Sequence, residues 1–294
     1  MAIINPIFTS TAYGFGSANG NSFYQFYDLN LKVKPGSFVT NNLKLLNLTL
    51  SNQWGYSYGL YSFIQQEESK GIIPAKTPIL TDVDVQNGAL FSSSGSRKFD
   101  VVLVGFSEYL SGPEFSNYKN FVQTGGKLII VDACNFLAEV NYYPQANKIS
   151  LYSGHGWAFN GSAAWPGVYN FWNTSATSWV GSIYGYFYTS GYKVQGAIAN
   201  TSNPASSALR NAYGKIPIIV SYAGHEENYL TNSSDSVIAY WNLKSLKAGG
   251  TVAVYSHVYG KGVVIHTGIF ATDVIASNSQ MQFVILVSML TQFT

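Results

Sequence analysis

Phe99-Asp100-Val101-Val102-Leu103-Val104-Gly105-Phe106 and, further on, Lys127-Leu128-Ile129-Ile130-Val131-Asp132 are the two runs on which the fold turns. Both are short, apolar and rich in β-branched residues. They lack the alternation of a strand wetted on one side, so each reads as a strand of a parallel sheet covered on both faces. Between them Ser111-Gly112-Pro113-Glu114 supplies a Ser-X-X-Glu capping box, Phe115, Tyr118 and Val122 recur at helical spacing, and Gly125-Gly126 ends the helix. Upstream, residues 58–70 place Leu60, Phe63 and Ile64 on one helical face and stop at Gly71, and residues 79–85 form another Val-rich strand. Strand, helix, strand, helix, strand predicts an α/β fold with a doubly wound, mostly parallel sheet, whose ligands sit beyond the carboxyl ends of the strands. Residues 106–111 and 133–136 are expected there.

Outward from this centre, residues 22–33 alternate and, with residues 43–50 after the Pro35-Gly36 turn, predict antiparallel strands. Residues 141–193 break the rhythm with four of the six tryptophans and read as a long ordered insertion. Beyond it the pattern predicts a helix over 205–213, strands over 216–222, 236–241, 251–258 and 262–267, and a final helix over 279–292. Tyr259-Gly260-Lys261-Gly262 makes a hairpin turn. The expected organisation is a β-rich N-terminal addition, residues 1–53, packed on one α/β domain, residues 54–294, which carries the 141–193 insertion.

The 294 residues include 22 Tyr, 18 Phe and 6 Trp, while charged residues are only 10%. Rings must therefore supply much of the packing area, and amides, hydroxyls and phenols must wet the surface. The 16 basic and 14 acidic residues form no basic run, which excludes a nucleic-acid footprint. A single cysteine, Cys134, excludes an internal disulfide and a thiolate metal cluster. His155, His257 and His266 show no zinc-ligand spacing, and no dinucleotide or phosphate-loop motif follows a strand. No signal peptide opens the chain, and the apolar run over 281–290 is too short to span a bilayer. A low-charge surface with N-glycan acceptors at Asn47, Asn160, Asn173, Asn200 and Asn232 is expected in an extracellular or cell-surface setting.

Three stretches, taken in order, carry a resemblance: Trp54-Gly55-Tyr56-Ser57-Tyr58-Gly59-Leu60-Tyr61, Thr81-Asp82-Val83-Asp84-Val85, and Gly105-Phe106-Ser107-Glu108-Tyr109-Leu110-Ser111 followed by a helix, Gly126-Lys127-Leu128-Ile129-Ile130 and Asn135. Together they resemble the C-terminal domain of the large (β) subunit of N,N-dimethylformamidase. That resemblance implies the glutamine-amidotransferase-like superfold and, for activity, amide hydrolysis at an iron held by two tyrosinates and a glutamate. Tyr109 would correspond to one of these tyrosines and Tyr61 or Tyr58 to the other; Glu226 and Glu227 are glutamate candidates by type. Phe106, Ser107 and Leu110 stand where the family has His, Asp and Trp, which removes polar groups that orient ligand or substrate. The alternative is that Glu108 satisfies a helix cap or backbone donors and Tyr109 packs.

A second constellation rests on position alone. Cys134 follows a strand, where glutamine amidotransferases carry their nucleophile, and His225-Glu226-Glu227 has the His-X-Glu order of a base and its orienter. Glu108, Tyr109, Cys134, His225 and Glu227 are thus the catalytic candidates, and Tyr109 and Tyr61 the metal-ligand candidates. The function expected first is a structural or interaction protein of a surface, matrix, filament or virion, assembling with itself or with other surface proteins through aromatic patches of the 141–193 segment and the β-rich N-terminus and needing no cofactor; the second is the iron-dependent amide hydrolase.

Overall fold

In the computed structural model, residues 1–17, 20–26, 46–71, 73, 75–132, 134–154, 172, 178–188, 194–199, 225–230, 235–243 and 252–268 are described. The chain opens directly into the core. Strand β1 (Ala2–Asn5) is wholly buried, Pro6 ends it, and the short helix α1 (Ile7–Ala12) buries every residue. Strand β2 (Leu48–Thr49) follows, then helix α2 (Tyr58–Ser69), which buries Leu60, Phe63 and Ile64, the stripe expected from the sequence.

Strand β3 (Ile79–Thr81) is shorter than the predicted 79–85, because Thr81 and Asp84 form a capping box that starts helix α3 (Asp82–Gln86). Side-chain bonds to the helix donors outweigh the β preference of Val83 and Val85. Strand β4 (Val101–Val104) leads to the two-residue β5 (Tyr109–Leu110), and the Ser111/Glu114 capping box opens helix α4 (Gly112–Gln123) as predicted. Strand β6 (Lys127–Val131) completes the decisive run.

The insertion begins with a hairpin of β7 (Ala138–Tyr143) and β8 (Lys148–Gly154). Strands β9 (Ser182–Tyr188), β10 (Val194–Ala199), β11 (His225–Leu230) and β12 (Ser236–Leu243) follow. Strands β13 (Val252–Tyr259) and β14 (Gly262–Thr267) make the predicted hairpin.

Eight strands form the main sheet in the order β10-β12-β13-β14-β6-β4-β1-β3. The pairings β14–β6, β6–β4, β4–β1 and β1–β3 are parallel, while the β10 to β14 side is antiparallel. This is a doubly wound, mostly parallel α/β sheet with added antiparallel strands. The strands around Val101 and Leu128 are neighbours as expected, but β1 separates the Ile79 strand from them. One face of the sheet packs Ile4, Val102, Val104, Leu128, Ile130 and Val264 against Phe115, Tyr118, Phe121 and Val122 of α4. Each such side chain contributes about 1.5–3 kcal/mol on leaving water.

Part of the antiparallel prediction for residues 22–33 is corrected. Residues 23–26 form a helical turn, started by the Ser22 Oγ that accepts from the Gln25 N–H at 2.9 Å, and Phe23 is fully buried. Residues 27–45, the helices predicted over 205–213 and 279–292, and the strand over 216–222 lie outside the described residues. Among the described residues, no helix is long and apolar enough to cross a membrane.

Candidate functional site

The parallel strands deliver their following loops to one edge of the sheet. Chain leaving β4 turns through Gly105 and Phe106 to Glu108, and three neighbours pin that loop. Ser57 Oγ accepts from the Phe106 N–H at 2.9 Å, Asn135 Oδ1 from the Ser107 N–H at 2.7 Å, and Thr9 Oγ1 from the Tyr109 N–H at 3.0 Å. The Glu108 carbonyl in turn accepts from Leu137 and Ala138 at 2.9 and 3.1 Å. Ser57 can come this close because residue 105 has no side chain; a Cβ there would collide with the Ser57 hydroxyl.

The Glu108 carboxylate has no exposed surface. Tyr13, just past α1, donates its hydroxyl to Oε2 at 2.6 Å, and the Tyr24 hydroxyl reaches both oxygens at 3.2 and 3.3 Å. The rings of Tyr13 and Tyr24 lie 4.4 Å apart, and Tyr13 also meets Phe106 and Tyr109. Burial, then the Glu108 charge, pushes the Tyr13 and Tyr24 hydroxyls well above the usual phenol range. Both are therefore neutral donors to a carboxylate, a charge-assisted arrangement stronger than a neutral pair.

Tyr109 is fully buried against Phe23, its ring meets Tyr13, and it lies near enough to Tyr24 to raise that phenol further, so Glu108 and Tyr109 do share one centre. Tyr61 is engaged elsewhere: its ring stacks on Trp54 at 4.5 Å and its hydroxyl accepts from Gln65 Nε2 at 2.5 Å. Tyr58 is 61% exposed on the same helix. Glu108 does not cap α4, a task that falls to Ser111 and Glu114.

Cys134 is buried beside this centre, near enough for a thiolate to raise Tyr13 further, and its N–H reaches Asp132 Oδ1 at 3.4 Å. Positive φ occurs at Asp132 and Phe136, on either side of Cys134. His225, Glu226 and Glu227 lie on β11, which pairs with β9 in a two-stranded sheet apart from the one that leads to Cys134; their side chains are outside the description. The histidine that meets the Cys134 loop is His266. Its Nε2–H donates to the Asp132 carbonyl at 2.8 Å, which leaves Nδ1 to accept from the Tyr255 hydroxyl at 3.1 Å. Burial lowers its pKa to about 4, so it is neutral and both ring nitrogens are used in holding the loop.

Tyr13, Tyr24 and His266 are the site residues that sequence reasoning missed. Tyr13 and Tyr24 stand 95 and 84 positions from Glu108, in no shared motif. Among the described residues no group of three or more His, Cys, Asp or Glu is placed to hold a metal. The donors gathered here are one carboxylate and phenols. Of the glycan acceptors, Asn47 is exposed; Asn160, Asn173, Asn200 and Asn232 lie outside the described residues.

Fold and site define a doubly wound, mostly parallel α/β protein with a carboxylate–phenol centre at the carboxyl ends of its parallel strands. No protein-family model matches the sequence, and no curated protein sequence does. Among solved structures it is similar to Cytoplasmic Protein STM1381 from Salmonella typhimurium LT2, at 10% identity and a TM-score of 0.50, covering 84% of this chain and 89% of that one. Cytoplasmic Protein STM3548 from Salmonella typhimurium aligns at 11% identity and a TM-score of 0.49, covering 87% and 92%. The β-galactosidase of Rahnella sp. R3 aligns at 11% identity and a TM-score of 0.46 over 80% of this chain, which spans only 27% of that enzyme. The extracellular or cell-surface expectation is corrected here. STM1381, which aligns over 89% of its own length, is named as a cytoplasmic protein, and low charge with abundant rings describes a surface without specifying a compartment.

Proposed function

We propose that this chain works by association with further copies of itself, using a hydrolase-like fold as an assembly module. The observation that carries this reading is the contrast between a closed centre and an open ring-rich face. Glu108 has no exposed surface and both its oxygens are taken by phenols, whereas Tyr56 and Tyr58, in the 54–61 segment, are 43% and 61% exposed. With a net charge of +2, little like-charge repulsion keeps copies apart, and Tyr and Trp give large contact area with a polar handle. Light scattering across concentration and salt tests this. Assembly should persist at high salt and bury at least about 1,000 Å² in total, because it does not depend on screened ion pairs. A monomer at every concentration and salt refutes it.

A second reading, an iron-dependent amide hydrolase of the dimethylformamidase type, is favoured by one specific observation. Glu108 gathers Tyr13, Tyr24 and Tyr109, and a carboxylate with phenols is the donor type that the family resemblance implies. Glu108 and two of these tyrosines would hold the metal, which would supply Lewis-acid polarisation of an amide carbonyl. Burial keeps the phenols protonated, so loading must displace their protons. Metal analysis of the purified protein, with formamide turnover measured with and without iron, separates the readings. Stoichiometric iron on tyrosine with turnover replaces the assembly role.

A further inference from the structure

We propose that the cavity between the turn after α1 and the β2 segment binds a neutral polyhydroxylated ligand, with room for one sugar ring. The cavity encloses about 280 Å³, at the small end of ligand pockets. Thr11, Ser17, Asn21, Asn47, Thr49 and Ser51 give it a lining of hydroxyls and amides, and Phe15 adds one aromatic wall.

Three backbone N–H groups orient these hydroxyls. Ser51 N donates to Thr11 Oγ1 at 3.0 Å, Asn21 N to Ser17 Oγ at 3.0 Å, and Gln53 N to Ser51 Oγ at 3.2 Å. Each oxygen thus has one lone pair occupied and keeps its own proton to donate. Gly16, at φ +76°, forms part of the wall; a Cβ there would run into Ser51 Oγ, so a bare backbone keeps the space open.

Chemistry selects the ligand class. Among the described residues no Asp, Glu, Lys, Arg or His lines the cavity, so a charged ligand would leave water without a counter-charge from them. An apolar ligand would leave the hydroxyls and amides unpaired. A polyol satisfies both conditions, and its C–H face can lie on Phe15. That ring meets Tyr56 at 4.9 Å, and the 54–61 segment continues with Trp54 stacked on Tyr61 and with exposed Tyr58. Further rings of an oligosaccharide would find aromatic faces there.

This inference goes beyond the assembly reading, since a free sugar reports on the cavity whether the protein is monomeric or assembled. The experiment is saturation-transfer NMR on the full chain with methyl glucoside, methyl galactoside and maltotriose, alongside glucose 6-phosphate and cyclohexanol. A methyl glycoside should bind at about millimolar Kd, as expected for so small a ligand, and both controls should bind more weakly. Thr49→Trp and Asn21→Trp, at exposed rim positions, should fill the space and weaken binding at least tenfold with Tm retained. Absence of transfer from all three sugars, transfer that persists in whichever of the two variants folds, or tighter binding of the phosphate or cyclohexanol overturns the proposal.

Discussion

Replacing Glu114 with Gln should reduce a pH dependence of stability that Asp82 and Glu114 build together, leaving the part that burial imposes on Asp82. Both carboxyl groups have no exposed surface. Asp82 Oδ2 accepts from the Phe8 N–H at 2.5 Å, Glu114 closes the α4 capping box, and the two side chains hydrogen-bond with each other. Such a bond requires a proton on one of them. Burial raises both, Asp82 from 3.8 to about 7 and Glu114 well above its ordinary value. The folded chain therefore keeps a proton that the unfolded chain releases near pH 4, so the contribution is full below that pH and is lost as pH rises towards 7. At about 1.4 kcal/mol per pH unit and proton, the interval from pH 5 to 7 changes wild-type stability by about 2–3 kcal/mol for each proton held, or roughly 5–10 °C in Tm, and the variant, in which burial still raises Asp82, should lose one such proton's share. His266, lowered to about 4, acts in the opposite sense: its contribution is present above its ordinary value and lost as pH falls through 4. Because His266 is common to both proteins, it cancels in the difference between wild type and Glu114→Gln. Thermal denaturation of both from pH 5 to 8 should show the variant gaining on the wild type as pH rises. A difference that is constant, or that grows in favour of the wild type, refutes the shared proton.

Glu108→Ala should cost about 2–4 kcal/mol by urea denaturation, because Tyr13 and Tyr24 lose their acceptor, while Glu108→Gln keeps one and should cost less. Tyr255→Phe removes the hydroxyl that joins Ser182, the Val180 carbonyl and His266, and should cost about 1–3 kcal/mol in the same assay. Gly262→Ala drives a methyl into the carbonyls of Val122 and Gly126 and should cost at least about 3 kcal/mol. Gly71→Ala, at φ +70° in open space, should cost only about 1–2 kcal/mol of backbone strain in thermal melts.

The sheet was legible where local chemistry and tertiary packing agree. Val101–Val104 and Lys127–Val131 are apolar throughout because both faces are covered, and Ser111 with Glu114 marks a helix start that no packing had to enforce. Ala2–Asn5 escaped notice because four residues ahead of a proline show no periodicity, and its partners, Val102 to Val104 and Ile79 to Thr81, lie about 75 to 100 positions away. At Asp82 the β-branched residues pointed to a strand, but the Thr81–Asp84 capping box found in the structure prevails because it satisfies helix donors at once. The Glu108 centre was half legible. Glu108 and Tyr109 sit at a predicted strand end, but Tyr13 and Tyr24 reach them only through the fold, and in a chain with 22 tyrosines the residue type alone singles out neither.

The same geometry explains why that centre admits two functional readings. A buried carboxylate must be met by donors or by a cation, since an unpaired charge in so dry a place is costly. Here phenol protons meet it, and the carboxylate that holds those protons also resists their loss: Tyr13 and Tyr24 are raised first by burial and next by Glu108 itself. The hydrogen bonds from Tyr13 and Tyr24 therefore give both Glu108 oxygens a partner without any bound group. A metal would compete with those protons atom for atom, gaining ground as pH rises and hydroxyls ionise. The departures at Phe106, Ser107 and Leu110 bear on the other half of the problem. These three positions are buried, and Phe106 packs on Tyr13 and Tyr56, so a ring, an aliphatic side chain and one small hydroxyl stand where the resemblance would place larger polar groups to steer a substrate.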